Sequence, residues 1–139
     1  LPTARVLSVD LLPKPAAFPA FGPAPKAYRI RRLRSLNAQP AVLEEIWLDG
    51  DQAAQLSTSE LSHSLYLYYR NVFKLWITEA EDQLGLEPVP QWAPGGFDPT
   101  PGTPCLFAAR LSRSQTGETV EYSQNWIDTN VARYVARIK

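Results

Sequence analysis

The sequence predicts an α+β domain, a mostly antiparallel β-sheet with a few short helices, and three observations predict it. Apolar and β-branched residues alternate in several separate runs, two pairs of those runs are joined by short turn-forming stretches, and one stretch alone carries apolar residues at helical spacing. With 139 residues the chain has the size of one ordinary domain, large enough for one core and too small for two independent ones.

In order along the chain, Arg5 to Leu12 alternates and branches as a strand does. Pro13, Pro15, Pro19, Pro23 and Pro25 then forbid a regular helix and predict a structured detour within the same domain. The runs Ala27 to Leu36 and Pro40 to Leu48 flank Asn37-Ala38-Gln39 and read as a β-hairpin that ends at Asp49-Gly50-Asp51. From Ser64 to about Val72, the spacing of Leu65, Tyr68, Tyr69 and Val72 predicts a short helix, with Ser62 or Ser64 available as N-cap. Leu75 to Glu81 reads as another strand, and Trp92 to Pro104 as a Pro/Gly-rich loop. Cys105 to Ser112 and Thr119 to Asp128 form a second hairpin across Gln115-Thr116-Gly117. Trp47, Trp76, Trp92 and Trp126 supply burial to a small core rather than a stacking platform.

Composition narrows the function classes. The formal charge is zero, which is unlike the basic footprint of a surface that holds a phosphate backbone by itself, so nucleic acid is not a direct partner. Cys105 is the single cysteine, which excludes an internal disulfide and fits a reducing, cytoplasmic compartment. No apolar run approaches the roughly 20 residues of a membrane helix, so no membrane partner is expected. The start at Leu1 without a methionine reads as a fragment of something longer. His63 is the single histidine and sits in the polar run Ser62-His63-Ser64, so neither a metal set nor a Ser-His-acid relay is expected, and no cofactor motif is present.

The polar candidates for a site lie in three short segments. Alternation puts Arg32 and Arg34 on one strand face, where two guanidinium groups can converge on an anion or simply line a solvated edge. Glu44 lies between Val42 and Ile46, with Leu43 and Trp47 making the other face apolar, so its carboxylate requires a partner, either an Arg or a ligand hydroxyl. If Leu36 opposes Pro40, Arg34 opposes Val42 and Arg32 opposes Glu44; a tighter loop brings Arg31 there instead. Ser64 and Tyr66 stand at the helix start, where free N–H groups and the dipole favour an anion, although N-capping alone accounts for Ser64. Glu121 and Ser123 share the polar face of an amphipathic strand, for which solvent exposure is the simple explanation. If all of these meet, they suit an elongated ligand, anionic at Arg32, Arg34, Ser64 and Tyr66, with Glu44 and Glu121 accepting from hydroxyls or an amide at its far end.

Taken in order, the segments ARVLSVDLLPKPA, RLRSLNAQPAVLEEIWL, SLYLYYRNVFKLWITEAED and PGTPCLFAARLSRSQTGETVEYSQNWID resemble the UTRA domain over nearly the whole chain. UTRA domains are the effector-sensing C-terminal part of GntR-type transcription regulators of the HutC subfamily. The resemblance implies a chorismate-lyase-like fold, a homodimer, no catalysis, and a winged-helix DNA-binding domain upstream through which alone DNA would be contacted. It implies that residues 1–139 form one effector-binding domain for a small anionic metabolite, best matched by a phosphorylated sugar or amino sugar. By that likeness Arg32, Arg34, Ser64 and Tyr66 would hold the phosphate, and Glu44 and Glu121 the sugar hydroxyls or amide. The alternative is a lyase-like enzyme on the same architecture, with arginines holding a carboxylated substrate and a carboxylate as general acid or base.

Overall fold

The computed structural model describes residues 2–61 and 64–138, so the expectations for Ser62 and His63 fall outside the described residues. Strands β1 (Pro2–Pro13), β2 (Lys26–Leu36), β3 (Gln39–Asp49), β4 (Ile77–Pro88), β5 (Pro104–Ser114) and β6 (Thr119–Ile127), with helix α1 (Leu65–Phe73), make the α+β domain that the alternation predicts. The strands form one sheet in the order β1-β2-β3-β6-β5-β4, and every neighbouring pair is antiparallel. The two predicted hairpins, β2–β3 and β5–β6, lie side by side at its centre.

Asn37 and Ala38 both take positive φ, 50° and 65°, the signature of a tight two-residue hairpin turn that matches the strand twist. The turn is therefore one residue shorter than the sequence suggests, and Gln39 already belongs to β3. Leu36 faces Gln39 and Ser35 faces Pro40, but an irregularity at Arg34/Ser35 restores the register that puts Arg34 opposite Val42 and Arg32 opposite Glu44. β4 runs seven residues beyond the predicted Glu81, because pairing with β5 carries it through Leu84, Gly85 and Leu86, where alternation is weak.

Helix α1 covers part of one sheet face. Its Leu65, Tyr68 and Tyr69 pack with Leu61 and Leu75 onto Ile30, Ile46, Leu48 and Val120, each such side chain contributing roughly 1.5–3 kcal/mol when fully buried. Ser64 caps the helix, its hydroxyl accepting from the Leu67 N–H at 3.3 Å. The helix ends where Lys74 turns left-handed, which leaves Val72 exposed rather than in the core. Trp76 is likewise exposed, with the Arg70 guanidinium over its ring, a correction to its expected burial.

The opposite face is covered by loops. The Pro-rich detour sets Phe18 and Phe21 against Trp47 and Tyr122. The loop after β4 sets Val89, Trp92 and Phe97 against Leu33, Leu43 and Trp126. Asp49 clamps the detour, accepting from Lys14 Nζ at 2.5 Å and the Ala24 N–H at 3.1 Å. Gly22 passes so close that a Cβ there would stand 2.2 Å from Asp49 Cγ, and its φ of +64° suits glycine. Since α1 is only nine residues long and the detour lies on the other side, the remainder of the helix-bearing face stays open. Among the described residues no helix is long and apolar enough to cross a membrane.

Candidate functional site

The central register lays chemistry out in rows across the open face. Arg34, Val42 and Ile127 form one row; Arg32, Glu44, Asn125 and Ala108 the next; then Ile46, Ser123, Arg110 and Asp82; and last Leu48, Glu121 and Ser112. Because side chains alternate along a strand, successive rows project to the same side. With the start of α1 they enclose a cavity of about 530 Å³, in the range of small-molecule sites. All six residues singled out in the sequence, Arg32, Arg34, Glu44, Ser64, Tyr66 and Glu121, line it. They come from β2, β3, the helix start and β6.

The two arginines are not equivalent. Arg32 is buried, its Nε donating to Glu44 Oε1 at 3.0 Å and its Nη1 to the Leu61 carbonyl at 2.8 Å, with Nη2 in an ion pair 2.9 Å from Glu44 Oε1. Arg34 is 42% exposed, and its Nη1 lies 3.9 Å from Glu44 Oε2, beyond hydrogen-bond length. Glu44 therefore sits beside both arginines rather than at the far end of the cavity. Leaving either charge of the buried Arg32–Glu44 pair alone would be costly, so that pair holds the floor together while the Arg34 guanidinium faces the opening.

Glu121 stands in a different environment. Tyr69 on α1 donates to its Oε2 at 2.6 Å, the Tyr66 hydroxyl approaches Oε1 at 3.5 Å, and Tyr66 also meets Ser112 at 3.1 Å. Burial raises the Glu121 carboxyl above its ordinary value, and the Glu44 charge pushes in the same direction. Burial and then the Glu121 charge likewise raise the hydroxyls of Tyr66 and Tyr69, the latter strongly. The result is a buried acid held by hydroxyls, suited to hydrogen-bonding a neutral polar group. Solvent exposure, the simple explanation from the strand pattern, does not hold for Glu121 or Ser123.

At the helix start, the Ser64 hydroxyl and carbonyl take the N–H groups of Leu67 and Tyr68. The N–H groups of Leu65 and Tyr66 have no intrahelical acceptor, as in any first turn, and these residues border the cavity.

Several lining residues escaped the sequence reading. Arg110 on β5 makes a two-pronged bond to Asp82 on β4, Nε to Oδ1 at 2.6 Å and Nη2 to Oδ2 at 2.9 Å, and Tyr134 from the C-terminal segment donates to Asp82 Oδ2 at 2.6 Å. Asn125 donates to the Ala108 carbonyl and to Ser123 Oγ. Arg110 was legible in principle, since the β5–β6 hairpin places it opposite Ser123, two residues from Glu121. Asp82 was not, because the strand was expected to end one residue before it. No group of three or more His, Cys, Asp or Glu side chains placed to hold a metal ion occurs among the described residues.

Comparison with known proteins adds family and fold. The family model of the UTRA domain matches residues 1–133. The HTH-type transcriptional regulator SmoD of Agrobacterium fabrum is 49% identical over 139 residues, all of this chain and 59% of that protein, so the chain spans about three-fifths of its curated relative. The solved ligand-binding domain of a candidate GntR-family transcriptional regulator from Bordetella bronchiseptica is 21% identical, with a TM-score of 0.83 over 100% of this chain and 91% of that one. YydK, a candidate transcriptional regulator of Bacillus subtilis, is 19% identical with a TM-score of 0.80, covering 99% of this chain and 62% of the other. These relatives carry the names of regulators, not of enzymes.

Proposed function

The chain belongs to the UTRA domain family, and on that premise we propose that it is the effector-sensing part of a GntR-type transcription regulator of the HutC subfamily. It binds a small anionic metabolite, a phosphorylated sugar or amino sugar, and operator affinity in an attached winged-helix domain changes as a result. The observation that carries this reading is the half-exposed Arg34 guanidinium and the first turn of α1, which line one cavity of about 530 Å³. A fixed cation and outward N–H groups suit a multi-oxygen anion. Glu121, with the Tyr66 hydroxyl between it and Ser112, accepts hydrogen bonds from hydroxyls or an amide, while Ser64 stands at the helix start and Arg32 holds Glu44 in place beside Arg34.

The regulator is cytoplasmic and acts as a homodimer through this domain. Its ligand works by preferring one arrangement of the two copies, and a differential affinity of a few kcal/mol suffices to shift such an equilibrium substantially. The names of the relatives support a binding domain over a lyase-like enzyme.

Calorimetric titration with matched pairs of sugar phosphates and their dephosphorylated parents tests the assignment, together with operator-binding assays on the full-length protein. Equal affinity within each pair eliminates the anion site. Full-length protein that binds none of them, with operator affinity indifferent to all, ends the sensing proposal.

A further inference from the structure

Asp82 departs from the pattern of its own strand. From Thr78 to Pro88 it alone is not exposed, and the side chains that bond to it come from two other parts of the chain. Arg110 grips it from β5, Tyr134 reaches it from the segment after β6, and Tyr66 at the start of α1 lies beside Arg110, where burial raises its hydroxyl and hydrogen bonding with Arg110 works against that rise. Asp82 and Arg110 are direct cross-strand partners, so some pairing is expected wherever β4 meets β5. A clasp between two strands does not require a third chain segment or a place in the wall of a cavity, and this pair has both.

We propose that Arg110, Asp82 and Tyr134 form a second recognition subsite, which reads a vicinal diol on the end of the effector away from its anionic group. The inference rests on the reading of the cavity as an anion site and adds what the rest of the ligand must be. The Arg110–Asp82 fork uses Nε and Nη2 of the guanidinium, so Nη1 lies outside it. Asp82 accepts three hydrogen bonds, one at Oδ1 and two at Oδ2, and a carboxylate offers about four lone-pair sites. The guanidinium hydrogens that the fork does not use, which the Tyr66 hydroxyl shares, and the remaining acceptor site of Asp82 therefore stand side by side at the cavity wall. Two adjacent hydroxyls, each able to donate and accept, complement that pair: one donates to Asp82 and its neighbour accepts from Arg110. A second anionic group is repelled by Asp82 and a cation by Arg110, so the charges within the pair select a neutral polyhydroxyl end.

The separation of the two ends fits. Arg34 and Arg110 stand on β2 and β5, three strand spacings apart and four residues apart along the strands, or roughly 20 Å at the backbone, a span that the two long side chains shorten from both ends. A lone phosphate at Arg34 leaves the subsite untouched, and only a ligand extending across β3 and β6 reaches both.

The test is calorimetry on the full-length protein with inorganic phosphate, n-pentyl phosphate, and the 6-phosphates of glucose, galactose and mannose. At least one hexose 6-phosphate is expected to bind more than tenfold tighter than n-pentyl phosphate, which has a similar reach and no diol. Asp82→Asn and Arg110→Gln are expected to cut that ratio at least fivefold while leaving n-pentyl phosphate unchanged. Tyr134→Phe, which removes one hydroxyl from the surface and leaves the fold intact, is expected to cut it two- to threefold. If the variants keep the wild-type ratio, with or without a fall in unfolding temperature, the pair is a strand clasp and the subsite is refuted. If n-pentyl phosphate binds as tightly as every hexose phosphate in the wild type, the subsite fails and the anion site stands. If no anion binds, the anion site fails and takes the subsite with it.

Discussion

The Tyr69 hydroxyl on α1 donates to Glu121 Oε2 on β6 at 2.6 Å, with both side chains buried, so one hydrogen bond ties the helix to the floor of the cavity. It also fixes the sign of a pH effect. Burial raises the Glu121 carboxyl in the folded state above its ordinary value of 4.5. The native protein then binds more protons than the unfolded chain between those two values, and stability falls as pH rises through that window. Glu121→Gln is expected to flatten this part of the stability profile and to raise the urea midpoint at about pH 8 relative to about pH 5. A wild-type slope retained in the variant assigns the effect to another group. Asp82 contributes with the opposite sign, because hydrogen bonding from Arg110 holds it below its ordinary value and its contribution is lost as the solution is acidified.

Arg32 and Glu44 predict a difference between breaking a pair and replacing it. Arg32→Ala leaves the Glu44 carboxylate with only the distant Arg34 charge in a buried setting and is expected to cost about 3–5 kcal/mol. The double variant Arg32→Met with Glu44→Leu removes both charges and keeps the volume, so most of that stability should return. Chemical denaturation of both variants measures the difference. A double variant no better than the single one shows that the bonds Arg32 makes outside the ion pair, that to the Leu61 carbonyl among them, dominate.

Arg34→Ala is expected to behave in the reverse way. Its side chain is half exposed and 3.9 Å from Glu44, so the fold loses little, whereas an anionic effector loses about 1.5–3 kcal/mol, the scale of a hydrogen bond to a charged group. Calorimetry on the variant decides it: unchanged affinity returns Arg34 to a solvated rim.

Most of the sheet was legible because hairpins are local. Asn37-Ala38 and Gln115-Thr116-Gly117 fix the β2–β3 and β5–β6 pairs, and with them the row that sets Arg32 against Glu44. What was not legible depends on contacts distant in sequence. β4 is exposed along most of its length, so its residues carry no burial signal, and its end is set by pairing with β5. Asp82 and Tyr134 are 52 residues apart and meet only because β4 is the edge strand under the C-terminal segment. The inequality of Arg32 and Arg34 was hidden for a related reason: alternation gives them one face, but the Leu61 carbonyl that completes Arg32 comes from a loop.

Gly22→Ala separates stability from ligand binding. An added Cβ meets Asp49 at 2.2 Å, and φ of +64° is unfavourable for alanine; strain of about 1–3 kcal/mol from the backbone and a comparable amount from overpacking are expected. Asp49 cannot simply retreat, because its Oδ1 holds Lys14 and the Ala24 N–H. The damage should nevertheless stay on the face where Phe18 and Phe21 cover Trp47 and Tyr122, since no residue of the detour lines the cavity. The expected outcome is a loss of about 2–4 kcal/mol in denaturation with effector affinity unchanged below the unfolding transition. A matching loss of affinity in the folded variant shows instead that strain passes through β3, from Asp49 to Glu44, into the floor of the site.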